Sequence, residues 1–220
     1  MAFDGITIAA MVSELNKNLS GGRINKIAQP ESDELLITGK GANGQKRLLL
    51  SASASLPLIY FTGKNRISPL TAPNFCMLLR KHIGSARITA IRQPGLERVV
   101  EFELEHLNEL GDVCHKVLIM ELMGKHSNII FCDDNNMILD SIKHVSCNVS
   151  SVREVLPGRP YFIPHTQDKL DPLTISREDF MEKVCGRSNA VSKALYQTLT
   201  GFSPVMAQEL CYRTSIDGND

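Results

Sequence analysis

Residues 99–105 read VVEFELE, a stretch in which apolar and charged side chains alternate. The apolar side chains of one parity are Val100, Phe102 and Leu104, and the acidic side chains of the other parity are Glu101, Glu103 and Glu105. Successive side chains of a β-strand point to opposite faces. This period of two therefore predicts a strand with one face in water and the other in a core.

Further predicted strands lie on both sides of this stretch, in two groups that each follow a predicted helix. The first helix begins after Asp4, a residue type that caps helices, and ends at Gly21. The second helix begins at Pro73 and ends at Gly84. Strands are predicted over 23–29, 34–39, 46–51 and 58–61 after the first helix, and over 86–92, 97–105, 113–122, 128–133 and 137–141 after the second. Two such groups in succession predict an α+β body with two sheets.

The character of the sequence changes after Ser150. Residues 157–172 are rich in Pro and contain Gly158, which is typical of a linker. Beyond this stretch, three helices are predicted over 176–184, 187–198 and 204–214. We therefore predict an α+β domain over residues 1–170, followed by a small all-α domain over residues 171–220.

The composition indicates a globular protein, since hydrophobic residues make up 43% of the chain and charged residues 22%. No run of eighteen apolar residues is present, and no basic region precedes the apolar stretch at the N-terminus. We therefore expect neither a membrane span nor a secretory signal. The six cysteines are scattered, which favours free thiols over a disulfide framework. These features together predict a cytoplasmic protein with no membrane partner.

The charges balance overall but are unevenly distributed along the chain. The formal net charge is zero, which by itself argues against a nucleic-acid partner. Residues 62–98 nevertheless carry seven basic residues and one acidic residue, whereas residues 99–112 carry five acidic residues and no Lys or Arg. This segregation predicts either a basic surface that attracts a polyanion or two solvated faces whose charges offset each other. The sequence leaves both alternatives open.

No catalytic or metal-binding pattern is present in the sequence. The six His residues show no metal-ligand spacing with one another or with the cysteines. The GxSxG, HExxH and P-loop patterns are absent. Residues 39–44, GKGANG, have the glycine spacing GxGxxG, but they fall on a predicted turn between two strands and not on a phosphate-binding loop. The residues alone therefore give no indication of an enzyme, a cofactor or a metal.

Two polar segments are candidates for binding. In residues 120–130, Gly124 permits a close backbone approach, and four hydrogen-bonding side chains follow it, namely Lys125, His126, Ser127 and Asn128. Residues 94–98, PGLER, form a predicted turn that delivers Glu97 and Arg98 into a strand. An arginine can bind a phosphate through two hydrogen bonds or stack on a base. The alternatives are a polar turn for the first segment and an exposed surface pair for the second.

A third segment, residues 199–210, reads LTGFSPVMAQEL and is similar to a helix-hairpin-helix. A tight hairpin leaves backbone N–H groups free at the start of a helix, where a phosphate can bind. Gly201 and Ala207 match the usual pattern, whereas Ser203 stands where a second glycine is usual. The segment predicts either a phosphate-binding hairpin or a helical hairpin that only packs.

Four segments together resemble the signature segments of the NFACT family of ribosome-associated quality-control factors. They are MAFDG (1–5), PGLER (94–98), ELMGKHSNII (121–130) and PGRPYFIPHTQDK (157–169), of which ELMGKHSNII is the most specific. The similarity spans essentially all 220 residues. It implies an N-terminal domain like that of the formamidopyrimidine-DNA glycosylases over residues 1–170 and a helix-hairpin-helix domain over residues 171–220.

The resemblance also implies a function. Members of this family bind the large ribosomal subunit that carries a stranded peptidyl-tRNA, and they recruit tRNA, which is alanyl-tRNA in bacteria. The ribosome then adds an untemplated tail that marks the stalled chain for degradation. Because this chemistry belongs to the ribosome, the resemblance implies a cytosolic binding factor and not an enzyme.

The family's functional residues fall on identifiable positions of this sequence. Its acidic residue near the N-terminus falls on Asp4, and its Asp-Arg pair falls on Glu97 and Arg98, with a longer carboxylate side chain in place of Asp. A tRNA-binding role is also implied for Glu121, Met123, Gly124, Lys125, His126, Ser127 and Asn128, and a possible phosphate-binding hairpin for Gly201 and Ser203. Arg98 is the strongest candidate for a contact with tRNA.

Three other functions compete with this interpretation. A DNA glycosylase of the implied fold would need an N-terminal proline amine next to a Glu, whereas Ala2 and Phe3 stand here. A fibronectin- or fibrinogen-binding adhesin, with an extracellular-matrix protein as its partner, would require unconventional export. A protein-interaction module would be indifferent to RNA.

Overall fold

A computed structural model describes residues 3–165 and 168–219. Within these ranges the chain forms five α-helices and nine β-strands. The helices are α1 (Gly5–Leu19), α2 (Asn74–Ile83), α3 (Arg177–Phe180), α4 (Val191–Thr198) and α5 (Pro204–Arg213). The strands are β1 (Arg23–Ala28), β2 (Glu34–Gly41), β3 (Gly44–Ser51), β4 (Leu58–Phe61), β5 (Arg87–Arg92), β6 (Val99–Leu107), β7 (Val113–Glu121), β8 (Asn128–Asp133) and β9 (Ile138–Ser141).

The nine strands form one antiparallel sheet in the order β4-β3-β2-β1-β5-β6-β7-β8-β9. The prediction of two sheets is therefore wrong, because the two strand groups join along β1 and β5. The register of these two strands contains a single pair, Arg23 with Arg87. Backbone hydrogen bonds from Gly21 N–H to Ile88 O and from Ile24 N–H to Ala86 O extend the joint. This pairing satisfies two strand edges that separate sheets would have left open.

The inner face of the sheet packs with α1 and α2 around the main core. The largest cluster of buried apolar residues includes Ile8 and Leu15 of α1, Leu79 of α2, and side chains from both halves of the sheet. Leu48 of β3 and Leu118 of β7 line the same small cavity, so the two halves face each other across the core. The alternation over residues 99–105 is confirmed, because Val100, Phe102 and Leu104 are buried and the glutamates between them are half-buried.

Helix α1 is fixed to the sheet by one polar side chain. Asn16 donates through Nδ2 to Ile91 O at 2.6 Å, and its Oδ1 accepts from Ile91 N–H at 3.1 Å. Ile91 is paired with Phe102 of β6, whereas the joint of β5 with β1 contains only the pair Arg23 and Arg87 and does not reach Ile91. The Asn16 amide supplies both a donor and an acceptor to this part of β5.

The charges of β5 and β6 offset each other, which favours the second alternative for the part of the basic segment that lies on β5. The antiparallel register places Arg87 opposite Glu105 and Arg92 opposite Glu101. Arg92 Nε also lies 2.7 Å from Glu103 Oε1. Two arginines of the basic segment, Arg87 and Arg92, therefore face the acidic strand β6, and β5 does not present a continuous basic face.

A second apolar cluster lies on the outer face of the sheet, under the chain that follows β9. Val155, Tyr161 and Ile163 of this segment pack on side chains of β6 to β9, among them Val99, Ile119 and Ile130. An isolated β-bridge between Met137 and Pro160 joins the segment to the start of β9, and a second bridge, between Val145 and Val155, closes the segment on itself. We refer to residues 142–165 as the strap.

A buried ion pair ties the strap to β7. Arg153 donates to both carboxylate oxygens of Glu121, at 2.6 and 2.5 Å, and the Tyr161 hydroxyl donates to the same carboxylate at 3.0 Å. The Glu121 side chain has no exposed area and that of Arg153 is 10% exposed. Burial, together with the charge of Glu121, raises the pKa of Tyr161 far above its usual value, so the phenol remains a donor.

The helices after residue 170 enclose their own apolar cluster, formed by Val184, Ala194, Leu195, Leu199, Ala207 and Cys211. Two of the predicted helices are shorter than expected. α3 passes at Met181 into a π-helical turn that ends at Cys185, and α4 begins at Val191, not at residue 187. Ser188 and Asn189 precede α4, and both residue types compete with helical hydrogen bonding through their side chains. The domain boundary near residue 170 stays a prediction.

All six cysteines are free, in agreement with the expectation from their spacing. Within the described residues, every helix is too short or too polar to cross a membrane.

Replacing Glu121 by Ala should destabilise the protein strongly, because it leaves the Arg153 charge buried without its carboxylate partner. The expected loss in the free energy of unfolding is about 3–5 kcal/mol. Glu154→Ala is the matched control, since it breaks a more exposed ion pair with Arg159, for which about 0–1 kcal/mol is expected. Urea unfolding of both variants measures the difference. Equal losses would show that the buried pair does not hold the strap.

Candidate functional site

A cleft of about 390 Å³ lies where four segments of the chain meet. Five of the predicted site residues line it: Asp4, Glu97, Arg98, Gly201 and Ser203. The remaining lining residues are Phe3, Gly5, Leu96, Pro164, His165, Lys169, Thr200 and Phe202. We refer to this site as the Arg98 cleft. The fold thus brings together residues that lie as far apart as positions 4 and 203.

The floor of the Arg98 cleft is a contact between three stretches of backbone. Gly5 N–H donates to Gly201 O at 3.0 Å. A Cβ atom on Gly5 would lie 2.0 Å from Leu96 O and 2.6 Å from the Cα atom of Gly201. Gly201 has φ +83°, and a Cβ atom there would lie 2.6 Å from Leu96 Cβ. Both glycines are therefore required for the segments to approach this closely.

The Asp4 carboxylate bridges the N-termini of α1 and α5. Its Oδ1 accepts from Thr7 N–H at 2.8 Å, which confirms the predicted cap of α1. Its Oδ2 accepts from the Ser203 hydroxyl at 2.6 Å. The same Ser203 oxygen caps α5 by accepting from Met206 N–H at 3.2 Å. One carboxylate therefore serves two helix ends, where a negative charge is favourable.

Hydrogen bonding dominates the ionisation of Asp4. Partial burial raises the pKa of its carboxyl group, but the hydrogen bonds from Ser203 and Thr7 outweigh it, and the net pKa lies below the usual value. The N-terminus of α5 is thus already next to an anion. A phosphate at Gly201 and Ser203 would have to compete with Asp4, which is consistent with Ser203 acting as a helix cap here.

Glu97 and Arg98 stand on the wall of the Arg98 cleft just before β6. A turn closed by Glu97 N–H donating to Pro94 O at 3.0 Å precedes them, so β6 begins at Val99 and not at residue 97 as predicted. Gln93 Nε2 donates both to Gly5 O at 2.8 Å and to Glu97 O at 2.9 Å, which ties the turn to α1. The Arg98 backbone is held from the other side by Leu122 N–H at 2.9 Å.

Arg98 and Lys169 place two cationic side chains on the Arg98 cleft. Arg98 is exposed, and within residues 3–165 and 168–219 neither its side chain nor that of Glu97 has a hydrogen-bond or ion-pair partner. Lys169 lies on the same cleft and is half-buried. Burial and the nearby charge of Arg98 lower the pKa of Lys169, with Glu97 acting in the opposite direction. An anionic ligand would relieve this repulsion between two cations.

Lys169, His165 and Phe202 are cleft residues that were not among the predicted site residues. Lys169 and His165 belong to the quoted segment PGRPYFIPHTQDK, so the resemblance carried a signal for them. Thr166 and Gln167 of that segment, and Met1 and Ala2 of the first segment, lie outside the described residues. Phe202 follows Gly201 in the hairpin and had no separate signal.

The segment 121–128 does not line the Arg98 cleft but supports it. Three of its predicted site side chains are buried and bonded within the protein. Glu121 binds Arg153, the Ser127 hydroxyl accepts from Met123 N–H at 2.9 Å, and Asn128 Nδ2 donates to Lys143 O at 2.9 Å. Because they are buried and bonded within the protein, these side chains serve to position the segment. Lys125 and His126 are exposed beside Gly124, which has φ +58°, and with the half-buried Met123 they stay predictions for tRNA contact.

Replacing Asp4 by Asn should reduce the pH dependence of stability. The pKa of Asp4 is lower in the folded protein than in the unfolded chain. The ionised carboxylate therefore contributes its full stabilisation at pH values above its ordinary pKa of about 4, and this stabilisation is lost as the pH falls through the lowered pKa. Asp4→Ala should also lower the free energy of unfolding at neutral pH, by about 1–2 kcal/mol, as the loss of other helix caps does. Thermal unfolding between neutral and acidic pH measures both, with Asp134→Asn in the exposed β8–β9 turn as control. An unchanged pH profile for Asp4→Asn would contradict the bridging role.

Comparisons with known proteins identify the family of this chain. The family described as NFACT N-terminal and middle domains matches residues 4–220. The chain is 40% identical over 219 residues to the Rqc2 homolog RqcH of Bacillus subtilis, covering 98% of this chain and 38% of that protein. It is 24% identical over 217 residues to the human ribosome quality control complex subunit NEMF, covering 99% of this chain and 19% of that protein. The chain thus spans about two fifths of the length of the bacterial relative.

Solved structures show the same fold. The N-terminal domain of fibronectin-binding protein PavA from Streptococcus pneumoniae superposes with a TM-score of 0.88 at 36% identity, covering 97% of this chain and 80% of that chain. The fibrinogen binding protein from Staphylococcus aureus superposes with a TM-score of 0.85 at 31% identity, covering 98% of this chain and 76% of that chain. The family match over nearly the whole chain and these relatives establish that the chain belongs to the NFACT family of ribosome quality-control factors.

Proposed function

We propose that this chain is the tRNA-binding part of a ribosome-associated quality-control factor and that tRNA binds at the Arg98 cleft. The observation that carries the proposal is the exposed Arg98 guanidinium, which has no partner among the described residues and stands beside Glu97 and Lys169. A guanidinium can hold a phosphate through two hydrogen bonds or stack on a base. A neighbouring carboxylate accepts from the amino groups of bases. The cleft therefore offers both kinds of contact that RNA recognition uses.

The site is suited to binding and not to covalent chemistry. The Asp4 carboxylate of the cleft is engaged at both oxygens, by Thr7 of α1 and by Ser203 at the start of α5. The Arg98 guanidinium has no partner among the described residues and can contact a ligand. We therefore assign to this protein the recruitment of tRNA, alanyl-tRNA by family resemblance, in the cytoplasm. The addition of an untemplated alanine tail to the stalled chain is then performed by the large ribosomal subunit that carries the peptidyl-tRNA.

The same proposal covers the finer description of the fold. In this proposal the sheet body corresponds to the glycosylase-like N-terminal domain. Helices α4 and α5, with the connection between them, correspond to the helix-hairpin-helix. Gly201 with its positive φ supports this description of the connection. The Ser203 cap and its bond to Asp4 distinguish it from a hairpin whose helix end is open to a phosphate.

The adhesin alternative is supported by the names of the solved structures, which refer to fibronectin and fibrinogen. The curated relatives that match over nearly the whole chain carry ribosome quality-control names. The Arg98 cleft offers charged hydrogen-bonding groups in a narrow space, which suits a nucleotide better than a broad protein surface. We therefore do not favour adhesion as the function.

Replacing Arg98 by Ala should weaken tRNA binding and reduce its dependence on salt. Loss of one phosphate contact flattens the slope of log affinity against log salt by about 0.7–0.9. Because the guanidinium has no partner within the described residues, the free energy of unfolding should change by less than about 0.5 kcal/mol. Binding of labelled tRNA over a salt series, together with urea unfolding, measures both effects.

The matched control is Arg87→Ala, which removes an exposed arginine at the other end of β5, opposite Glu105. It should leave both the affinity and the slope unchanged. If Arg87→Ala weakens binding as much as Arg98→Ala, the attraction is nonspecific and the site is wrong. If the wild-type protein does not bind tRNA, the proposed function itself fails.

A further inference from the structure

A second polar groove lies next to the Arg98 cleft. It encloses about 460 Å³ and is lined by Asp168, Lys169, Arg187, Tyr196 and Gln197. Lys169 also lines the Arg98 cleft, so the two cavities meet at this residue. We refer to the second cavity as the Arg187 groove. It is formed by the helical part of the chain, since Tyr196 and Gln197 belong to α4 and Arg187 follows the π-helical turn.

Hydrogen bonds to the protein backbone orient Lys169 and Arg187 in the Arg187 groove, and some donor groups of the groove remain for a ligand. Lys169 Nζ donates to Tyr196 O at 2.8 Å, which fixes the ammonium group at the junction of the cavities. Arg187 Nε donates to Lys183 O at 2.9 Å. The other two guanidinium nitrogens of Arg187 have no partner in the part of the chain that the structure describes. Gln197 Oε1 accepts from Asn189 at 3.3 Å, so the Gln197 amino group remains available.

These groups match the chemistry of a nucleotide. Two cations, Lys169 and Arg187, can bind a phosphate, and arginine does so with a planar pair of donors. Tyr196 presents an aromatic ring beside them, and the amide of Gln197 can bond a base edge or a ribose hydroxyl. The carboxylate of Asp168 limits the positive charge of the groove, which favours a single phosphate next to a base over a dense polyanion.

We propose that the Arg187 groove is a second nucleotide subsite, which holds the RNA residue next to the one bound in the Arg98 cleft. This inference rests on the proposed function, because it extends the same RNA past Lys169. The lining residue that both cavities share gives the path of the strand, from Arg98 across Lys169 to Arg187 and Tyr196. Burial and the charge of Arg98 lower the pKa of Lys169, so a phosphate bound beside it would stabilise its ammonium form.

Binding of labelled tRNA and of single-stranded RNA oligonucleotides over a salt series tests the subsite. Arg187→Ala should flatten the salt slope by about 0.7–0.9, which corresponds to an affinity difference of about threefold between 50 and 200 mM salt. Arg187→Lys should retain the slope, because the charge is kept. Gln197→Ala should weaken binding without changing the slope, because the amide is neutral. The control Arg213→Ala, at the far end of α5, should behave as wild type.

The outcomes separate the subsite from the proposed function. If Arg98→Ala weakens tRNA binding while Arg187→Ala and Gln197→Ala bind as wild type, the subsite is overturned and the proposed function stands. If wild type does not bind tRNA, both are overturned. Circular dichroism shows whether each variant is folded. The expected additive losses in Arg98→Ala/Arg187→Ala would establish two independent contacts on one RNA.

Discussion

The backbone of Gly5 lies against Leu96 and Gly201 with no room for a side chain between them. This contact brings the start of α1, the turn before β6 and the connection between α4 and α5 to one point. Gly5 N–H donates to Gly201 O, and Gln93 donates to Gly5 O, so both backbone polar groups of Gly5 are hydrogen-bonded at this close approach. The Arg98 cleft exists because these three segments are held together, and its charged wall is built on their neighbours in sequence.

Two of the signature segments contribute differently to this arrangement. PGLER carries Arg98 to the wall of the cleft, while ELMGKHSNII holds it there through Leu122 N–H bonded to Arg98 O. The buried Glu121, bonded to Arg153 and Tyr161, anchors the end of β7 under the strap. Glu121 can therefore position Arg98 although it is enclosed, since its effect reaches the cleft through the backbone. Arg92 of β5 is engaged with Glu103 of β6, whereas the Arg98 side chain has no partner among the described residues.

Much of the fold could be predicted from local patterns, because period-two alternation, helix caps and glycine turns depend on neighbouring residues. The joint between β1 and β5 could not be predicted in this way, because its single backbone pair, Arg23 with Arg87, joins strands that are far apart in the sequence. At the site, the resemblance identified Asp4, Glu97, Arg98, Gly201 and Ser203, and the structure places them together. The sequence did not reveal that Asp4, the cap of α1, also bonds Ser203, the cap of α5, nor that Glu121 pairs with Arg153, because both contacts join distant segments.

The measurement that tests the central claim most directly is the mapping of tRNA-induced changes in backbone amide NMR signals on the isotopically labelled chain. The account predicts that the largest changes cluster at the described residues that line the Arg98 cleft, around Gly5, Arg98, Lys169 and Gly201. Amides of the distant edge strand β4 should remain unchanged. Changes that cluster at β4, or that are spread evenly over the surface, would contradict the claim that the Arg98 cleft binds tRNA.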